Sequence, residues 1–227
     1  MVKVIDMASY PRREHFEHFQ TMGNPFVSLT KQIDITSWLA KIKGKNYPFF
    51  LSFQYAVVQA ANSVPELRQR IRDGGIVEYT FCNPSYTLDC GDGTYRYCNV
   101  NADQPFGAYL QHAADMQRHV MDDPRLVEAD DPESMLFISC VPWLSYTALE
   151  MPKPAPSFSV PSITWGKYEK ELTLRIADGQ LREYEKYLIP VTIMVNHSIV
   201  DGRHIAAFFS ALEKELAQDY PAADSVQ

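Results

Sequence analysis

No stretch of this 227-residue chain comes near the ~18 to 20 consecutive apolar residues that a membrane helix requires. Its opening, MVKVIDMASYPRREHF, also lacks the uninterrupted apolar core of a secretory leader. A soluble, cytoplasmic protein with no membrane partner is expected. Basic residues are in the minority, with 21 Lys and Arg against 28 Asp and Glu for a formal charge of -7. That balance argues against nucleic-acid binding, which rests on neutralising phosphates. Cysteine is scarce as well. Cys82, Cys90, Cys98 and Cys140 form no CxxC pair and have no histidine close by, so no metal site is read, and in a reducing cytosol small, half-buried thiols in strands are expected. Internal repeats and low-complexity tracts are missing, as is the strict βαβ rhythm of a doubly wound fold.

What is present suits one folded unit. With 46% hydrophobic residues the chain can bury a sizeable core, and its length calls for a single domain over residues 1–227, with 218–227 read as a frayed tail. PRREHFEHFQ opens with Pro11 at a first helical position and carries Phe16 and Phe19 at helical spacing. FVSLTKQIDIT reads as a strand, followed by a short helix over SWLAKIKGK that stops at Gly44. YPFFLSFQYAVVQAANSVPELRQRI reads as a buried helix broken before Pro65. The stretch from Asp73 to Val100 predicts two or three strands with turns at Asp73-Gly74, Asn83-Pro84 and Gly91-Asp92-Gly93.

Further along, PFGAYLQHAADMQRHVMDD is an amphipathic helix by its spacing, and MLFISCVPWLSY returns to strand. MPKPAPSFSVPS is a proline-rich connection. SITWGKY and ELTLRIADGQLREYEKYLIPVTIMVNH are strands, with a turn at Asp178-Gly179. The fold class expected is α/β (α+β), a mixed β-sheet with helices packed on it.

One junction stands out. Ile189 to Asn196 predicts a buried strand, and Ile205, Phe208, Phe209, Leu212 and Leu216 form the apolar stripe of a helix starting near Asp201 or Gly202. His197 therefore stands at a strand-to-helix corner, where a rigid frame can expose a reactive side chain. Two plainer roles fit the same residues: a structural histidine at a strand end, and Asp201 as an N-cap. His15 and His18 lie one turn apart on the first helix beside Glu14 and Glu17, but two ligands on one helix do not make a metal site.

NHSIVDG resembles the HHxxxDG signature of coenzyme A-dependent acyltransferases, and the chain is similar to their chloramphenicol acetyltransferase branch. The similarity runs through RREHF at residues 12 to 16, SLTKQIDIT, PELRQRIRDG, VPWLSYT, ITWGKY and VNHSIVDGRH, covering roughly residues 10 to 217. The resemblance implies a two-layer sandwich, acetyl-coenzyme A as co-substrate with no permanently bound cofactor, and a hydroxylated small molecule as acceptor. It also implies a homotrimer whose sites lie between subunits. By the same resemblance His197 is the general base, Asp201 and Arg12 are a structural pair, and Thr164 helps bind the tetrahedral intermediate through water. Lys167 and Tyr168 fall on coenzyme-contacting positions.

The departures from the family pattern fall around the acceptor. Asn196 replaces the first histidine of the HH pair, and Ala148 stands where the family has an oxyanion-binding serine. Losing such a donor typically costs ~2.7 to 4 kcal/mol of transition-state stabilisation unless Thr147, a backbone N–H or water replaces it. His18, Phe19 and Tyr95 change the acceptor pocket, which bears on the alcohol accepted.

Overall fold

The alternation in IPVTIMVN sorts that strand into two faces. Ile189, Val191, Ile193 and Val195 are fully buried toward the helices, while Thr192, Met194 and Asn196 point to the other side of the sheet. The computed structural model describes residues 2–123, 125–152, 155–177 and 179–220. In chain order these form β1 (Val2–Ile5), α1 (Arg13–Gln20), β2 (Phe26–Asp34), α2 (Thr36–Gly44), α3 (Phe49–Asn62), β3 (Gln69–Arg72), β4 (Gly75–Tyr79) and β5 (Asn83–Asp89). There follow β6 (Tyr95–Asn99), α4 (Phe106–Asp122), β7 (Met135–Val141), β8 (Ser162–Gly166), β9 (Glu169–Ala177), β10 (Gln180–Asn196) and α5 (Gly202–Ala217).

The main sheet has the order β2-β10-β8-β7-β5-β6, with β9 paired to the outer part of β10. It is mixed: β7 runs parallel to both β5 and β8, and the other pairs are antiparallel. Helices cover one face. Ten successive or near-successive residues of α3 are buried, and Phe53 meets Trp165 of β8 edge-on at 5.1 Å. The α5 stripe, Ile205, Phe208, Phe209, Leu212 and Leu216, is wholly buried. Each such side chain contributes about 1.5 to 3 kcal/mol on burial, so the stripe fixes the helix that begins at the His197 corner. The expected helices-on-mixed-sheet architecture is what forms.

Three details differ from the sequence reading. Asn83-Pro84 is not a turn but the start of β5, paired with Met135 and Leu136 of β7. Proline is tolerated at a strand start because its missing N–H costs no inner ladder bond, and its carbonyl still accepts from Val100 at 3.2 Å. The chain changes direction before it, because β4 belongs to a second sheet of order β1-β4-β3. Finally, Cys98 and Cys140 lie within strands, while Cys82 and Cys90 flank β5; all four are free thiols. Asp73-Gly74 does form a tight turn, with φ of 52° and 73°. Of the Asp178-Gly179 turn, Asp178 lies outside the described residues, as do residues 221–227 of the tail.

Candidate active site

The corner after β10 is held from four directions. His197 donates its backbone N–H to Pro25 at 2.7 Å, and the amides of Ile199 and Val200 return to the carbonyl of Asn196 at 3.2 and 3.0 Å. The Asn196 side chain, in a residue only 2% exposed, accepts from the Ser198 amide at 3.0 Å and donates to the carbonyls of Pro156 and Phe158 at 2.9 and 3.0 Å. Gln20 of α1 donates to the Ser198 hydroxyl at 2.8 Å. On this frame the half-buried His197 ring stacks on Phe19 of α1, with centroids 4.1 Å apart and planes 11° from parallel. His18 meets Phe19 edge-on at 5.3 Å. The Nδ1 of His197 is buried without a hydrogen-bond partner among the described residues.

Asp201 fills both roles that the sequence left open. Its Oδ1 caps α5 by accepting from the Arg203 amide at 2.9 Å, and its Oδ2 lies 3.3 Å from the Arg12 guanidinium. Arg12 also donates to the carbonyl of Ile199, so one guanidinium grips the corner at two points. Partial burial opposes ionisation of Asp201, but the backbone amides of Arg203 and His204 and the Arg12 guanidinium outweigh it and hold the carboxyl below its ordinary range.

Thr164 lies elsewhere. It is 3% exposed on the sheet face away from the helices, in register with Thr192, and lines a cavity of about 620 Å³ with Ser85, Thr87, Phe137, Ser139 and Ser162. Its hydroxyl donates to Met151 Sδ at 3.3 Å, and its carbonyl accepts from the Tyr146 hydroxyl at 2.9 Å. Lys167 and Tyr168 line a second cavity of about 1080 Å³ with Phe49, Trp143 and Trp165. Tyr95 belongs to this second cavity rather than standing with Thr164. The two cavities share Tyr86, Thr87 and Ser139. His197 lines neither, and Ala148 is exposed and lines neither. Cys140 borders the second cavity, but burial pushes its thiol up to about 11, too high for a nucleophilic thiolate near neutral pH.

Several supporting residues escaped the sequence reading. Gly166 had a signal, a glycine inside a strand: an added Cβ would meet the Leu144 carbonyl oxygen at 2.6 Å and Tyr146 at 2.9 Å. That close approach lets the segment after β7 lie across the sheet beside Thr164, where Lys167 donates its amide to Leu144 at 2.7 Å. Met151 and Tyr146 gave no signal, because their partners are set by the path of an irregular loop.

A mixed sheet with helices packed on one face has known counterparts. The family model described as chloramphenicol acetyltransferase matches residues 1–213. The chain belongs to this family, whose members are acyltransferases. The chloramphenicol acetyltransferase of Proteus mirabilis is 27% identical over 219 residues, covering 94% of each chain. That of Clostridium perfringens is 26% identical over 221 residues, covering 96% of this chain and 95% of the relative. A solved chloramphenicol acetyltransferase matches with a TM-score of 0.82 at 24% identity, over 95% of this chain and all of the other. A probable dihydrolipoamide acetyltransferase from Listeria monocytogenes 4b F2365 shares the fold, with a TM-score of 0.61 at 15% identity over 94% of both chains. As for membranes, no described helix is long and apolar enough to cross one.

Proposed function

We propose that this chloramphenicol acetyltransferase relative moves the acetyl group of acetyl-coenzyme A to a hydroxyl of a small molecule, chloramphenicol or a related alcohol. His197 acts as general base, and no acyl-enzyme forms. The observation that carries this reading is the corner itself: an imidazole at a backbone braced from α1, the loop before β2, the proline-rich connection and α5. An alcohol is a weak nucleophile near neutral pH, and a neutral imidazole within reach of its proton makes attack feasible. The imidazole takes the hydroxyl proton as oxygen bonds to the thioester carbonyl carbon. The carbon–sulfur bond then breaks, and the same proton passes to the departing thiolate.

The separation of His197 from both cavities supports an assembly, a homotrimer by family likeness, in which one subunit supplies the base and its neighbour the Thr164 cavity. In the second cavity the rings of Phe49, Trp143 and Tyr168 offer stacking surface for an adenine, and Lys167 offers charge for a phosphate. Those residues fit acetyl-coenzyme A. A hydroxyl-rich floor of Ser85, Thr87, Ser139 and Ser162 faces the place assigned to the acceptor.

A second reading has its own support. Ala148 offers no oxyanion donor, and the Thr164 hydroxyl is already turned to Met151, which fits a weakened relative that binds acyl-coenzyme A or a small ligand without efficient turnover. Thiol release from acetyl-coenzyme A with a panel of alcohols, chloramphenicol included, separates the two. Acceptor-dependent release that falls by a factor of ~100 or more in His197→Ala, with an unchanged melting temperature, supports catalysis. Coenzyme binding with no release for any acceptor supports the second reading.

A further inference from the structure

We propose that His204 is a positioning residue for the His197 corner, a role that rests on the acetyltransferase reading. It occupies the third position of α5, where a capping box ordinarily has Glu or Gln to accept the N-cap amide proton. Here an imidazole takes their place, and Nδ1 of His204 accepts from the Asp201 amide at 3.0 Å. A nitrogen that accepts carries no proton, so the ring is the Nε2–H tautomer. Its Nε2 lies 3.5 Å from Oε1 of Glu66, on the 3-10 turn Pro65–Arg68 that follows α3. The side chain is 13% exposed, and one ring thereby links the start of α5 to the turn that follows α3.

The connection continues toward the base. His204 fixes the backbone of Asp201, whose carboxylate meets Arg12; Arg12 holds the Ile199 carbonyl and leads directly into α1, which stacks Phe19 on His197. Glutamine at position 204 can keep the capping bond and still reach toward Glu66, whereas phenylalanine fills the space and keeps neither. The imidazole therefore sets where the base sits without touching a reacting atom.

Nitrogen-15 spectra of the histidine rings, read alongside steady-state kinetics of His204→Phe and His204→Gln, test this. The proton of His204 is expected on Nε2. In the phenylalanine variant kcat is expected to fall roughly tenfold to a hundredfold, the cost of a base displaced by about 1 Å, with acceptor KM within about twofold. The glutamine variant should recover kcat to within about threefold of the parent. A proton on Nδ1, or equal losses in both variants, overturns the proposal. If the parent transfers acetyl to no acceptor, that counts against the acetyltransferase reading alone, and the His197 ring signals decide: movement in the phenylalanine variant only supports positioning, and no movement in either overturns it. Should His204→Phe not fold, Glu66→Leu replaces it, with the His197 signals expected to shift and an unchanged spectrum overturning the link.

Discussion

The His197 corner and the Thr164 cavity are built in opposite ways. The corner is a dense network: its own turn between Asn196 and His204 is bonded internally, and Arg12, Phe19 and Gln20, the Pro25 carbonyl and the carbonyls of Pro156 and Phe158 grip it from outside. The cavity draws its floor from β5, β7 and β8 and much of its rim from Leu149, Met151, Pro152 and Phe158, which lie outside the strands. A corner fixed by so many specific bonds can keep its geometry while a surface made of separated strands changes its contents. That division leaves the His197 corner insulated from many substitutions that would reshape the cavity.

Asn196 is where the insulation ends, since its side chain bonds the corner on one side and the proline-rich connection on the other. Asn196→Ala should therefore cause the largest loss of stability. Removing three bonds from a residue this buried costs about 3 kcal/mol at roughly 1 kcal/mol each, which lowers the melting temperature by about 6 to 12 °C. Both acceptor KM and kcat should worsen together. A variant with an unchanged melting temperature would show the two regions to be independent.

Arg12→Ala sharpens the contrast by striking the corner alone. The pair with Asp201 is only partly buried, 18% and 36% side-chain exposure, so its loss should cost about 1 to 2 kcal/mol rather than the larger penalty of a fully enclosed pair. The expected signature is a kcat reduced at least tenfold, with acetyl-coenzyme A affinity within about twofold because Lys167 and Tyr168 lie in the untouched second cavity. Calorimetric titration of the coenzyme beside kinetics measures both. A matching loss of affinity would mean that the corner supports the coenzyme site as well.

The same contrast explains what could be read from the sequence. The strand, the corner and the α5 stripe were legible because alternation, a capping aspartate and helical spacing are local signals that the core then rewards. The four-residue strands β1 and β3 were not, since so short a segment carries no periodicity and exists only because β4 pairs with both. Pro84 misled for a related reason: a turn signal is local, but the parallel partner that makes it a strand start, Leu136, is distant in sequence. Family likeness named Arg12 as the partner of Asp201, and the structure puts them together. No local rule could place Tyr95 with Lys167 instead of Thr164, because the cavities are properties of strand order.

Acid should loosen the corner before the sheet, which gives the smallest and most specific prediction. Asp201 has a carboxyl held below the ordinary range in the folded chain, its partial burial outweighed by the amides of Arg203 and His204 and by the Arg12 guanidinium. A depressed folded pKa adds stability above the unfolded value of ~3.9, and that contribution disappears as pH falls through the folded pKa. The melting-temperature gap between the parent and Asp201→Asn should be full at about pH 5 and above, and should close below about pH 4. Thermal melts of both proteins across that range make the comparison directly. A gap that stays constant into acid would mean that Asp201 braces the corner through its amide and cap geometry, with the charge on Arg12 contributing little to the fold.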